Sequence, residues 1–227
     1  MFTQTIHPTV GRLPQGMTPP AAARGEIEGG FGLVTSEFTY GKDVEIYGED
    51  EPAEYVYQVI RGAVRSYKLL SDGRRQINAF YLAGDVFGLE TGPLHRLATE
   101  AVVDTTVRLV KRNAVEHAAT TDVEVVRKLL NVTARDLKHA EDHMLLLGRK
   151  TALERVAAFL LEMDRRLTVA GLLALPMCRR DIGDYLGLTL ETVSRSLSQL
   201  QEQGILDLSG ARQILVRNRQ RLQTMNA

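Results

Sequence analysis

The stretch Cys178 to Leu206, CRRDIGDYLGLTLETVSRSLSQLQEQGIL, decides how the chain is read. It has the form of two helices joined by a tight turn. The first helix turns Ile182 and Leu186 inward, Gly187 permits a sharp bend, and Thr189 stands where a cap accepts a backbone N–H. The second puts Val193, Leu197 and Leu200 on its buried side. Its other side carries Leu190, Glu191, Ser194 and Arg195 in the first turn and a half, where a recognition helix meets base edges in a major groove.

Glu191 is the informative residue. A carboxylate repels phosphates, but it can accept a hydrogen bond from cytosine N4, while Arg195 can donate two to O6 and N7 of guanine. Leu190 has no polar atom to offer and suits a thymine methyl. A compatible second reading needs no DNA: Glu191 favours the helix N-terminus and pairs with Arg195 at i,i+4. Arg179, Arg180, Thr189 and Thr192 stand around this face as phosphate contacts. Downstream, residues 204–217, GILDLSGARQILVR, give two short strands about Ser209-Gly210. That is a wing, with Arg212 near its tip either as a phosphate contact or as an ordinary surface arginine.

Working upstream, TALE at 151–154 has capping-box spacing between Thr151 and Glu154 and opens a helix through Arg166, with Leu153, Val156, Phe159 and Leu160 on one side. The segment LTVAGLLALPM follows, broken at Pro176. Ahead of it, the chain from Asp122 runs without Gly or Pro until Gly148, which predicts one long helix ending there. Its apolar residues fall on a heptad: Val123, Leu130, Leu137 and Met144 in one row, Val126, Ala140 and Leu147 in the other, interrupted by Thr133. So narrow a stripe points to a seam between two copies of the chain rather than to packing within one. His139 and His143 lie four apart on this helix; a solvated face is expected rather than a metal pair.

From Phe31 to Val115 the chain reads as short strands with turn signals. EYVYQVIRGAVRSYKLL alternates apolar and polar residues and is broken by Gly62, SDGRR holds an Asp72-Gly73 hairpin turn, and QINAFYLAGDVFGLE is a strand followed by Gly-rich turning. Such a series argues for a small sandwich or barrel. The expected organisation is a loose tail over 1–26, a sandwich over 27–118, a long helix over 119–148 and a winged helix-turn-helix over 149–227, an α+β fold.

Composition narrows the function. Of 227 residues 44% are hydrophobic and 25% charged, with no stretch long and apolar enough to span a membrane. The first residues lack the apolar core of a secretion signal, so the cytoplasm is expected. The net charge of zero divides unevenly, −4 over residues 1–147 and +4 over 148–227, which directs a polyanion toward the C-terminal third. The single cysteine, Cys178, excludes a Cys-rich metal or iron–sulfur site within one chain. Sandwiches also serve metal-dependent enzymes, but residues 50–115 contain only His95 as a histidine ligand, so no enzyme and no cofactor are expected.

Sandwich, long helix and winged helix-turn-helix, in this order, resemble the Crp/Fnr family of bacterial transcription regulators over roughly residues 30–220. LAGDVFGLE resembles the sensory-domain turn of its double-stranded β-helix, which is cyclic-nucleotide-binding-like, and TLETVSRSL resembles its recognition helix. Glu191, Ser194 and Arg195 look like the Fnr and FixK branches, and GDYLGLTLETVSRSLSQLQ looks most like the FixK-type regulators of rhizobia. The resemblance implies a homodimeric activator on palindromes close to TTGAT-N4-ATCAA, RNA polymerase as partner, and genes of microoxic respiration and nitrogen fixation. The chain lacks the four cysteines of an Fnr cluster. Where cyclic-AMP receptors hold the cyclic phosphate with an Arg-Ser pair, it has Arg96 and Leu97. DNA binding without a small effector is therefore expected; an effector-gated regulator is the alternative. Cys178, followed by Arg179 and Arg180 at a helix start, is either a redox switch whose oxidised acid repels DNA or an inert cap. The SDGRR turn and the TGPLHR loop are the expected polymerase contacts.

Overall fold

The computed structural model describes residues 33–169 and 171–225. The expected tail over 1–26 lies outside them. Eight strands come first: β1 (Ser36–Tyr40), β2 (Glu45–Tyr47), β3 (Tyr55–Arg61), β4 (Ala63–Leu69), β5 (Arg75–Leu82), β6 (Val86–Phe87), β7 (Ala98–Ala101) and β8 (Thr105–Lys111). Helices α1 (Arg112–Ala119), α2 (Val123–Arg149) and α3 (Ala152–Leu167) follow. The remainder is β9 (Thr168–Val169), β10 (Leu172–Ala174), α4 (Arg179–Leu186), α5 (Leu190–Glu202), β11 (Leu206–Leu208), β12 (Gln213–Val216) and α6 (Arg219–Thr224).

The strands form two antiparallel sheets, β1-β8-β3-β6 and β2-β7-β4-β5. Between them lie Tyr47, Tyr57, Val59, Val64, Phe87 and Val107. Val56 and Val110 point out of the opposite face and pack with Val115 of α1 and Val125 of α2. β3 is therefore buried on both faces, not on the one face that the expected alternation implies, because α1 and α2 cover its outer side. Helix α1 was not foreseen; with Val115 its one buried residue, it leaves no periodic pattern to read.

Helix α2 starts at the Asp122 cap, whose carboxylate accepts from Glu124 N at 2.8 Å. It runs through Gly148 and stops after Arg149, one residue beyond the expected end. Two successive extended residues, Lys150 and the Thr151 cap, set the stop in place of the glycine. The face carrying Val125, Val132 and His143 is buried, while Val123, Val126, Leu130, Leu137 and Met144 lie bare. Ala140 is also exposed, Leu147 is half-buried, and the Thr133 hydroxyl donates to Leu129 O at 2.9 Å within the helix.

His143 departs from the expected solvated face. Its Nε2 donates to the Tyr185 carbonyl at 2.9 Å and its ring stacks on Tyr185 at 4.2 Å, so it is buried between α2 and α4. Helical periodicity turns residues 139 and 143 to one side of the seam, and in the fold that side packs on α4 rather than facing water.

Thr151 and Glu154 form the capping box that opens α3. Val156, Phe159, Leu160 and Met163 then share one core with Ile182, Leu186, Val193, Leu197 and Leu200. Each such fully buried side chain contributes about 1.5–3 kcal/mol. Phe80 of β5 lies 6.3 Å from Phe159 and 5.3 Å from Tyr185, so the core continues from the sandwich into the C-terminal part. The expected two-stranded wing is half of a four-stranded sheet, β11-β12-β10-β9, because residues 168–174 form two further strands. Strands of two and three residues carry too little pattern to be read from sequence.

Candidate nucleic-acid interface

Helix α4 begins where Cys178 holds an extended backbone. The Cys178 amide and thiol both donate to Oδ2 of Asp181, at 3.1 and 3.2 Å. The helix ends at Gly187, whose φ of 63° is left-handed and suits glycine. A second glycine matters more for the motif. The chain returning from the turn passes over Gly183, where a Cβ would sit 2.6 Å from Leu188 O, and Leu188 N donates to Gly183 O at 2.9 Å. Only a residue without a side chain lets the turn close onto α4.

The cap of α5 is Thr189, whose hydroxyl accepts from Thr192 N at 3.2 Å. Val193, Leu197 and Leu200 are buried beneath the helix, leaving Leu190, Glu191 and Arg195 exposed and Ser194 half-buried on the outer face. The Glu191 carboxyl is held below its usual range, first by the helix N-terminal amide and then by the Thr189 hydroxyl. It is thus an ionised acceptor at neutral pH.

The expected Glu191–Arg195 ion pair does not form: Arg195 Nη2 instead donates to Thr192 Oγ1 at 3.5 Å, and Glu191 turns toward the cap. The two side chains are separately available to a ligand. Arg179 Nη1 donates to Ser194 Oγ at 3.2 Å, bridging α4 to the outer face of α5, and Arg180 is exposed. At the wing, Arg212 is half-buried rather than free, since its Nη1 donates to Pro176 O at 2.9 Å.

Several residues that hold this face were not singled out from sequence. Arg155 of α3 donates to Lys150 O, Leu186 O and Leu147 O at 2.9, 2.9 and 2.8 Å, tying α2, α3 and α4 together. Arg65 and Arg75 reach α4 from the sandwich. Gly183 could have been flagged, since a glycine inside a helix needs a packing reason. Arg65 and Arg75 left no signal, because their partners on α4 lie more than 100 residues away.

The Arg-Ser pair that would hold a cyclic phosphate is replaced by Arg96 and Leu97. Arg96 is exposed and its Nε pairs with Glu90 Oε2 at 3.4 Å, and Leu97 beside it has no donor. His95 is buried, stacked on Tyr47 at 3.6 Å. A cavity of about 570 Å³ does lie between the sandwich and α2, lined by Ser66, Tyr81, Glu90, Arg96 and Asp136 among others. No helix among the described residues is long and apolar enough to cross a membrane.

Comparison with known proteins agrees with this architecture. Residues 37–122 match the model of the cyclic nucleotide-binding domain, and residues 154–225 match that of the Crp-like helix-turn-helix domain. The nitrogen fixation regulation protein FixK of Azorhizobium caulinodans is 45% identical, over 83% of this chain and 78% of its own. The transcriptional activatory protein AadR of Rhodopseudomonas palustris is 38% identical, over 78% of this chain and 75% of its own. The solved structure of FixK2 from Bradyrhizobium japonicum superposes with a TM-score of 0.84 at 76% identity, covering 86% of this chain and 98% of that one.

Proposed function

The chain belongs to the Crp/Fnr family of DNA-binding transcription regulators, on its FixK-like side, and from that premise we propose that it binds palindromes close to TTGAT-N4-ATCAA as a homodimer, without a small effector, and activates transcription there. The observation that carries the reading is the outer face of α5. It offers an ionised acceptor, Glu191, and a donor, Arg195, that are not spent on each other. Glu191 and Arg195 read cytosine and guanine, Leu190 meets a thymine methyl, and Ser194 completes the base contacts. Arg180, Thr189 and Thr192, with the remaining N–H groups of Arg179 and Arg212, hold phosphates.

The bare row of Val123, Val126, Leu130, Leu137 and Met144, with Thr133, Ala140 and Leu147 between them, supports a seam along α2 between two copies. A two-fold dimer then sets its reading helices roughly 34 Å apart, in successive major grooves. Independence from an effector is supported by Tyr47, Tyr57 and Phe87 packing together between the two sheets, and by Arg96 turning to Glu90. For RNA polymerase, the SDGRR turn exposes Asp72 and Arg74 and the TGPLHR loop exposes Leu94 and Arg96.

Redox control through Cys178 is a further part of this proposal. An oxidised, anionic sulfur there would face the Asp181 carboxylate 3.2 Å away, disturb the start of α4 and repel DNA. Cys178→Ser should bind DNA like the parent and lose peroxide sensitivity; a Cys178→Asp protein that binds undiminished removes this mechanism.

The reading is tested by transcription in a purified system containing only this protein, bacterial RNA polymerase and a template carrying the palindrome. Strong transcription that disappears on a scrambled site is expected. The effector-gated alternative rests on the cavity between sandwich and α2, and transcription appearing only when a cyclic nucleotide or another small ligand is added would favour it.

A further inference from the structure

Four charged residues join the sandwich to the first helix of the DNA-binding motif. Arg65 on β4 is buried and donates Nη1 to Asp181 Oδ1 at 3.2 Å and Nη2 to Asp43 Oδ1 at 2.9 Å, and it also pairs with Glu100. Arg75, at the end of the SDGRR turn, donates Nη2 to Asp181 Oδ1 at 2.6 Å and Nε to Asp184 Oδ2 at 3.0 Å. Both acceptors on α4 are thus taken by cations from the sandwich. Beside them, Gln76 Nε2 donates to Tyr185 O at 3.3 Å, the carbonyl that His143 of α2 also reaches.

We infer that Arg75 and Asp184 are positioning residues for DNA binding: with Arg65 and Asp181 they clamp α4 to the sandwich and so fix the direction in which α5 points. The physical chain is short. α4 cannot tilt without breaking charge-assisted hydrogen bonds, of which Arg65–Asp181 is shielded from water, where such bonds are strongest, and Arg75–Asp184 is partly so, with side chains 21% and 25% exposed. α5 cannot move independently of α4, because the turn is closed on Gly183 and Arg179 holds Ser194. A dimer reads a palindrome only when both recognition helices have the right separation and direction. In an effector-gated regulator a ligand could impose that arrangement; here ion pairs built into the chain impose it. This inference rests on the effector-independent reading proposed above and supplies its physical cause.

Arg74 is the built-in control. It belongs to the same turn and carries the same charge, but its side chain is 77% exposed and it pairs only with Asp72 beside it. The test compares the parent with Arg75→Ala, Arg74→Ala and Asp184→Asn, each first checked for unchanged mass and melting temperature. Affinity for the palindrome and for a scrambled duplex is then measured without effector. Arg75→Ala should lose about tenfold or more on the palindrome while Arg74→Ala changes little. Asp184→Asn is decisive, because removing a negative charge strengthens binding to DNA by simple electrostatics, whereas a loosened clamp weakens binding to the palindrome. Arg75→Lys, which keeps the charge but not the fork, should fall between.

Equal losses in the two arginine variants, or tighter binding by Asp184→Asn, would overturn the clamp. Parent protein that does not select the palindrome at all would instead sink the effector-independent reading, before any variant is compared.

Discussion

The Arg179 guanidinium on α4 donates to the Ser194 hydroxyl on α5 at 3.2 Å, so a cation of the first motif helix is held against the reading face of the second. Ser194→Ala removes the acceptor and lets the arginine swing. Affinity for the palindrome should fall about 3- to 10-fold, within the roughly 0.5–1.5 kcal/mol of one hydrogen bond. Arg179→Ala should cost more and reduce the slope of log affinity against log salt by about one per monomer, as loss of one phosphate contact does. Salt titrations of both variants check this; an unchanged slope in Arg179→Ala would show that the arginine serves only the protein.

Arg195→Ala should relax the choice at one base pair in each half-site, removing roughly 1–3 kcal/mol of discrimination there. Glu191→Ala should do the same at another base pair, and because a negative charge is removed, its binding to non-matching DNA should tighten. Competition against every single-base variant of the half-site measures both. A uniform loss on all sequences would assign Arg195 to the phosphates.

Leu137 and Leu130 are 59% and 66% exposed in the single chain, so a charge at either position costs the monomer little. In a seam it would be paired across the two-fold axis with its own copy. Leu137→Glu is therefore expected to give a folded monomer by sedimentation, with palindrome binding reduced by at least 100-fold through loss of the second half-site. A dimer of unchanged mass would remove α2 from the interface.

The His143 ring is desolvated between α2 and α4, and this burial, larger than the opposing effect of its hydrogen bond to Tyr185, holds it below its usual range. Among the described residues, His139 of α2 and Tyr185 of α4 stack on it. Burial has the same effect on His95, against the weaker opposing pull of Glu90. An unfolded histidine takes up its proton near pH 6.5, and the folded ones only at lower pH, so the unfolded state binds more protons in between. Stability from these sites is complete above about pH 6.5 and falls as the pH drops through that value. His143→Gln, which can still donate to the Tyr185 carbonyl, should flatten part of this loss. Urea midpoints on either side of the window provide the check; a parallel pH profile for parent and variant would contradict it.

The helix-turn-helix and the long helix α2 with its bare apolar row were legible because their signals are local. Gly187, the Thr189 cap and the heptad of α2 each need only neighbours within one or two turns. In the C-terminal part the core residues Val156, Phe159, Leu160, Ile182, Leu186, Val193, Leu197 and Leu200 likewise follow from apolar spacing, whereas β3, expected to alternate, is buried on both faces. What escaped notice depends on distant partners. Arg75 looked like part of a free polymerase-binding turn but faces α4, and His143 looked solvated but lies under Tyr185. Glu191 and Arg195 have the spacing of an ion pair, yet the cap at Thr189 competes for the carboxylate, and the pair is not made.

The central claim is that the chain, as it stands, is a complete reader of its palindrome. The most direct test is a fluorescence-anisotropy titration of the purified, reduced protein, with no effector added, against TTGAT-N4-ATCAA and a scrambled duplex at one fixed salt concentration. Binding to the palindrome at least about 10³-fold tighter than to the scrambled duplex is predicted. Weak binding, or equal binding to both, until a small ligand is added would contradict the claim and move the search to the cavity between the sandwich and α2.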